Sequence, residues 1–258
     1  MKNQCAVSTT HLLIMPSYNT GALLLVTVKE ALQYWLPVWV IIDGSNDASE
    51  QLLLPLQAQY PEHLKVIVLA ENQGKGAAVL IGVTQAQEQG YTHVLTMDAD
   101  YQHPADFIQQ FMKQSIESPK SMLLGAPIFD DSAPMIRVQG RRISNGWANL
   151  ETLGWGIGDS LFGMRVYPID DLIKVMHSTC WARRFDFEPE IAVRMAWRGV
   201  PIINIATPVR YISAEEGGVS QFKYLRDNIL LIGMHIRLLA GFVLRLPYLL
   251  FRQFSARK

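Results

Sequence analysis

Apolar runs of strand length, alternating with helical stretches, dominate the first hundred residues and leave this chain few architectures. His11–Met15, Val38–Ile42, Lys65–Leu69 and Thr92–Met97 read as strands, whereas Ala22–Trp35, Ala48–Tyr60 and Ala77–Gln89 return apolar side chains at the period of a helix. Parallel neighbours need a crossover connection and a helix supplies it, so the alternation predicts a mostly parallel central sheet with helices on both faces. At 258 residues, one such α/β domain with a substantial core is expected, together with a small C-terminal appendage. In sheets of this kind the ligand crevice lies beyond the carboxyl ends of the strands.

That rule gathers three polar loops at one edge: Pro16 to Thr20, Asp43 to Asp47 and Asp98 to Gln102. In the last, Asp98 and Asp100 flank the small Ala99, and the Gln102 amide follows two positions on. Hard oxygen ligands on one short turn suit Mg²⁺ or Mn²⁺, which keep positions open for substrate phosphates. Aspartates at a strand end also serve as plain turn formers, and Pro104 with Asp106 predicts a helix starting there. Asp43 can accept hydrogen bonds from a base N–H or a ribose hydroxyl, and Tyr18 offers a flat face, but Asp43-Gly44-Ser45 equally suits a turn with Ser45 or Asp47 as helix cap. Gly74-Lys75-Gly76 is either a strand-to-helix turn or a place where backbone N–H groups and a lysine approach phosphate.

Lys plus Arg equals Asp plus Glu at 23 each, which argues against wholesale nucleic-acid binding. Cys5 and Cys180 lie far apart in no metal-ligand spacing, so neither a disulfide scaffold nor a zinc site is expected, and a reducing cytoplasm fits. Met1 to His11 lacks the apolar core of a secretory signal, so the chain is expected to act where it is made. No Gly-x-Gly-x-x-Gly follows the first strand, which speaks against a dinucleotide oxidoreductase.

Four motifs, in order and spacing, carry a resemblance: Pro16-Ser17-Tyr18-Asn19, Ile41-Ile42-Asp43-Gly44-Ser45-Asn46-Asp47, Asn72-Gln73-Gly74-Lys75-Gly76-Ala77 and Asp98-Ala99-Asp100-Tyr101-Gln102-His103-Pro104. Together they resemble family 2 glycosyltransferases with the GT-A fold, on the branch of the dolichol-phosphate and polyprenyl-phosphate sugar synthases. The likeness continues through Gly158 to Pro168 and Phe185 to Glu190 and covers roughly residues 10 to 225. It implies that Pro16, Tyr18, Asn19 and Asp43 hold the nucleoside of a nucleoside-diphosphate sugar and that Gly74 and Lys75 stand on the donor side. It further implies Asp98 and Ala99 near the ribose, and Asp98, Asp100 and Gln102 around the Mg²⁺ or Mn²⁺ that bridges the diphosphate.

The chain departs from the family at Thr20, where an acid is common, at Ile42, where a second aspartate is common, and near Gly125 to Pro127, where an arginine is usual. Diphosphate binding is therefore expected to rest on Arg137, Arg141 or Arg142, and Arg183-Arg184 is a further phosphate candidate. Asp159 and Arg165 match the motif that lines the acceptor side in the family. Asp186, Glu188 and Glu190 would share one face of a strand but spread around a helix. One of them is a candidate general base for a hydroxyl acceptor, while a phosphate acceptor needs none. As first-turn acids before Ile191 to Trp197 they would be structural. In the loop Tyr211 to Phe222, Gln221 stands where the family carries a lysine, with Lys223 two positions on.

From Phe222 onward seven basic residues face one acid, Asp227, so this segment carries +6 and the remainder −6. Tyr224 to Phe254 is rich in Leu, Ile, Phe and Met, but Arg226, His235, Arg237, Arg245 and Arg252 interrupt it and Pro247 is expected to break it. A spanning helix of about 20 apolar residues is therefore not expected. The expectation is a pair of basic amphipathic helices in a bilayer interface, arginines reaching headgroups. The reading divides the chain into a GT-A glycosyltransferase domain over 1–222 and membrane-interface helices over 223–258. Its function would be metal-dependent, inverting sugar transfer to a lipid-linked acceptor, polyprenyl phosphate or another membrane lipid, on the inner face of the cell membrane. The alternatives are a partner subunit that binds donor or membrane without turnover, and a nucleotidyltransferase, for which no Gly-rich triphosphate loop is present near the N-terminus.

Overall fold

The computed structural model describes residues 5–129, 135–212 and 223–256. Its strands are β1 (Ala6–Val7), β2 (His11–Ser17), β3 (Trp35–Leu36), β4 (Val38–Asp43), β5 (Leu64–Leu69), β6 (His93–Thr96), β7 (Met122–Ile128), β8 (Arg165–Pro168) and β9 (Ile202–Pro208). Its α-helices are α1 (Ala22–Tyr34), α2 (Leu54–Gln59), α3 (Lys75–Glu88), α4 (Ile108–Glu117), α5 (Met135–Glu151), α6 (Ile169–His177), α7 (Phe187–Trp197) and α8 (Tyr224–Ala256). The seven-stranded sheet has the order β5-β4-β2-β6-β8-β7-β9. Only β8 among these runs antiparallel to its neighbours, β6 and β7, so the expected α/β, mostly parallel sheet is what forms. The short pair β1 and β3 makes a separate two-stranded sheet.

Why the sheet is covered on both faces follows from the strands themselves. In β2, Leu12 and Ile14 pack into one core with α3, α6, α7 and α8, while Leu13 and Met15 pack into the other with α1 and α4. Alternate side chains point to opposite faces, so a run apolar at every position must be buried twice. Each fully buried Leu or Ile adds roughly 1.5–3 kcal/mol. The predicted helix over 48–60 is instead a 3₁₀ turn, Ser49–Leu53, followed by α2, with Pro55 in the first turn of α2.

The C-terminal segment differs most from expectation. It is one continuous helix with Pro247 inside it, not two helices. An interior proline costs about 3 kcal/mol, and contacts on both sides of it offset that loss. The Arg245 guanidinium lies 4.7 Å from the centre of the Trp197 ring, and Arg252 Nη1 donates to the Trp197 carbonyl at 2.9 Å. Leu225–Ser255 is, by length and composition, apolar enough to cross a membrane, contrary to the expectation. Arg237 and Arg252 also turn the other way from that expected. Arg237 stacks 4.0 Å from the Trp181 ring centre and binds Glu190 at 3.2 Å, and Arg252 lies 3.9 Å from the Trp155 ring centre. They fasten α8 to the domain, and the outward face is left to Leu225, Ile229, Ile232, Ile236, Val243 and Phe254.

Candidate functional site

The carboxyl ends of β2, β4 and β6 lie side by side in the sheet, and the three polar loops open into one cleft of about 1400 Å³. Two of these loops are zipped together. The Asn19 backbone N–H donates to Ser45 Oγ at 3.0 Å, the Asn46 N–H to Asn19 Oδ1 at 2.9 Å, and the Gly21 N–H to Asp47 Oδ2 at 2.8 Å. Asn19 sits at φ +47°, a left-handed conformation that asparagine tolerates.

Pro16, Tyr18, Asn19, Asp43, Gly74, Lys75, Asp98, Ala99, Asp100, Gln102 and Arg141 all line the cleft, as does Glu188. Asp43 is buried and organises the next loop. Its carboxylate accepts from the Gln73 and Gly74 N–H groups, each at 2.8 Å, and from Asn72 Nδ2 at 3.0 Å. Those N–H groups are thus already engaged, and the Ala77 N–H goes to the Arg183 carbonyl at 3.2 Å. Gly74-Lys75-Gly76 accordingly starts α3 against the 182–184 segment, where a Cβ at Gly76 would overlap the Ala182 carbonyl.

Lys75 reaches the centre of the cleft. Its ammonium forms ion pairs with both Asp98 and Glu188. Burial alone would lower the Lys75 pKa, but the two carboxylates outweigh burial and push it up. For Asp98 burial acts upward, yet Lys75 and a 3.1 Å hydrogen bond from His103 Nε2 hold it well below the usual carboxylate range. His103 is itself fixed edge-on against Phe162, ring centres 4.4 Å apart. Gly163 makes room: a Cβ there would overlap the Asp98 carboxylate.

Asp100 is in the opposite state. Burial and then the neighbouring Asp98 charge raise its pKa, and its Oδ1 accepts from the Gln102 N–H at 3.2 Å. Among the described residues, no group of three or more His, Cys, Asp or Glu is arranged to hold a metal ion. A half-buried pair of carboxylates with an amide beside it still fits Mg²⁺ or Mn²⁺, because such ions take their remaining ligands from water and substrate phosphates. The fit is best at Asp100, since both Asp98 oxygens already have partners.

Asp159, Arg165, Asp186 and Glu190 are not among the residues that line the cleft. Arg165 is fully buried and gives its guanidinium to the carbonyls of Phe162 (2.6 Å), Glu188 (2.6 Å) and Asp159 (3.3 Å), bracing three segments. Asp159 accepts from Arg141 Nη1 at 2.7 Å and Asn145 Nδ2 at 3.2 Å. Asp186 precedes α7 and accepts from the Ala182 and Arg184 N–H groups. Glu190 binds Arg194 and Arg237. On a helix the three acids spread, and only Glu188 faces the cleft. Arg184 lines the cleft and binds Asn72 at 3.1 Å, whereas Arg183 caps the carbonyls of Met176, Thr179 and Trp181. The Arg137 side chain and the loop that carries Gln221 lie outside the described residues.

His103, Gly163 and the Lys75 bridge were not singled out from the sequence. His103 stands in a motif of the resemblance, five residues after Asp98, and Gly163 lies in the Gly158 to Pro168 stretch that continues it, which are usable signals; the long-range bridge leaves none. The apolar lining of the cleft was missed as well. There α5 contributes Ile143 and Trp147, and α8 contributes Leu231, Ile232, Ile236 and Leu239.

Residues 12–190 match Glycosyl transferase family 2. The chain is 24% identical over 212 residues to polyprenol monophosphomannose synthase of Mycolicibacterium smegmatis, covering 80% of this chain and 78% of that protein. It is 26% identical over 202 residues to undecaprenyl-phosphate 4-deoxy-4-formamido-L-arabinose transferase of Salmonella choleraesuis, covering 78% of this chain but 57% of that protein. The crystal structure of Mycobacterium tuberculosis glucosyl-3-phosphoglycerate synthase with Mn²⁺, UDP-glucose and phosphoglyceric acid superposes with a TM-score of 0.61 at 13% identity, covering 91% of this chain and 80% of that one. With the family match spanning most of its length and a related fold beneath it, the chain belongs to glycosyl transferase family 2.

Proposed function

We infer that the protein is a metal-dependent, inverting glycosyltransferase that moves a sugar from a nucleoside-diphosphate sugar to a lipid-linked acceptor at the cytoplasmic face of a membrane. The observation that carries this reading is that one cleft is lined both by the acids at the strand ends and by Ile232 and Ile236, which also belong to the exposed apolar face of α8. An acceptor tail against those side chains would run onto a lipid surface. The M. smegmatis relative is named for polyprenol monophosphomannose and the S. choleraesuis relative for undecaprenyl phosphate, which supports a polyprenyl phosphate or another membrane lipid. Pro16, Tyr18, Asn19 and Asp43 would hold the nucleoside, with uridine diphosphate sugars the first donors to try, as in the glucosyl-3-phosphoglycerate synthase complex.

Asp100, with Gln102 and Asp98 beside it, would hold Mg²⁺ or Mn²⁺, whose charge favours departure of the nucleoside diphosphate. Lys75 holds Asp98 and Glu188 in place around the sugar position, and Arg141 and Arg184 supply guanidinium groups toward phosphate. Attack by the acceptor on the face of the anomeric carbon opposite the diphosphate gives inversion in one displacement. The test is release of nucleoside diphosphate from a panel of nucleotide sugars with Mn²⁺ and membrane lipid extract. Asp100→Ala is expected to lower turnover by at least about 100-fold with an unchanged thermal midpoint. Undiminished turnover with the same metal dependence would remove Asp100 from the mechanism, and no release from any donor would leave a binding subunit.

A further inference from the structure

Where α5 and α8 face each other, polar side chains form a relay in apolar surroundings. Glu151, at the end of α5, is fully buried; its Oε1 accepts a hydrogen bond from His235 Nδ1 at 2.9 Å, and its Oε2 has no partner among the described residues. The second ring nitrogen, Nε2, lies 3.4 Å from the Ser144 hydroxyl, and both residues line the cleft beside Ile143, Trp147 and Ile236. With the carboxylate accepting a hydrogen bond from Nδ1–H, a neutral ring keeps Nε2 as an acceptor. Burial raises the Glu151 pKa, the His235 hydrogen bond opposes that rise, and Glu190 adds to it. A buried carboxylate bonded to an imidazole gains most when that imidazole takes a proton.

The order Ser, His, Glu matches a hydrolase relay, but Ser144 lies inside α5, where the helix consumes the backbone N–H groups an oxyanion would need. Its hydroxyl is also shared with Ser160 at 3.0 Å. The acids expected to act as bases are engaged elsewhere: Glu188 by Lys75, Asp159 by Arg141, Asp186 by two backbone N–H groups, and Glu190 by Arg194 and Arg237.

We propose that His235 is the general base of the acceptor half, and that the group glycosylated there is a neutral hydroxyl on an amphiphile. This rests on the glycosyl-transfer reading and narrows its acceptor. The hydroxyl oxygen forms the new bond to the anomeric carbon as the bond from that carbon to the donor diphosphate breaks, its electron pair leaving with the diphosphate. The hydroxyl proton passes to His235 Nε2, and Glu151 stabilises the imidazolium. A phosphate acceptor, already ionised, has no proton to give.

The experiment offers the full chain uridine diphosphate sugars, Mn²⁺ and two acceptors with the same tail, farnesol and farnesyl phosphate. Wild type is expected to prefer farnesol. His235→Gln should lower kcat about 100-fold or more with donor affinity unchanged, and added imidazole should restore part of the rate in His235→Ala. Preference for farnesyl phosphate, or His235→Gln turning over within about twofold of wild type, overturns the base while glycosyl transfer stands. If no donor releases its nucleoside diphosphate, the reading beneath falls and takes the proposal with it. Thermal midpoints identify a variant that fails to fold, in which case the acceptor preference of wild type decides.

Discussion

Lys75 is the side chain on which the most opposing forces converge. Two carboxylates from distant parts of the chain, Asp98 after β6 and Glu188 in α7, meet on its one ammonium. Lys75→Met would leave those acids facing each other with only His103 on Asp98. Removing one partner of a buried ion pair costs about 3–5 kcal/mol, and the partial exposure of Asp98, 29% of its side chain, reduces that to about 2 kcal/mol. Urea unfolding should show this loss, and donor turnover should fall with it. A variant as stable as wild type would mean that the bridge is a minor feature of the fold. The Asp98-x-Asp100 pattern and its strand-end setting were legible in the sequence because strand and turn signals are local. That Lys75 would neutralise Asp98, 23 residues on, or that Asp43 would turn inward to fasten residues 72–74, 29 to 31 residues on, depends on contacts that no local pattern carries.

At the scale of elements, β2 and β6 begin side by side with a pair of stacked histidines. The His11 and His93 rings lie 4.4 Å apart and nearly parallel. His11 is further bound to Thr10 and to Ser115 of α4. Burial, and then the neighbouring His93, lower its pKa to about 4. The unfolded chain takes up this proton near pH 6.5 and the folded chain only near pH 4, so between those values the unfolded state binds more protons and stability falls as pH falls. Above about pH 7 the contribution is flat. Urea midpoints at about pH 7.5 and about pH 5 should differ, and His11→Gln should shrink the difference; an equal difference in the variant would assign the pH effect to other groups. Strand starts such as these were readable from apolar periodicity. The break of 48–60 into a 3₁₀ turn and α2 was not, because Pro55 is compatible with a helix start wherever the helix happens to begin.

At the scale of the molecule, α8 reverses the electrostatic argument that its composition suggests. Seven basic residues near the C-terminus invite a picture of arginines on anionic lipid, but Arg237, Arg245 and Arg252 point at Glu190, Trp197 and Trp155. A helical pattern tells which residues share a face; it does not tell which face meets the body of the protein. What remains outside is a stripe at Leu225, Ile229, Ile232, Ile236, Val243, Leu250 and Phe254, about 43 Å from end to end at 1.5 Å per residue. If this stripe lies in a bilayer interface, burial of apolar area is the main attraction. Co-sedimentation should therefore be nearly as strong with neutral phosphatidylcholine vesicles as with vesicles that carry anionic lipid, and should change little with salt. Ile229→Asp with Val243→Asp and Leu250→Asp, residues outside the cleft lining, should release the protein from both kinds of vesicle and spare donor hydrolysis in detergent. Binding confined to anionic vesicles and abolished by salt would return the attraction to the arginines, and a concentration-dependent dimer in place of vesicle binding would give the stripe to a second copy of the chain.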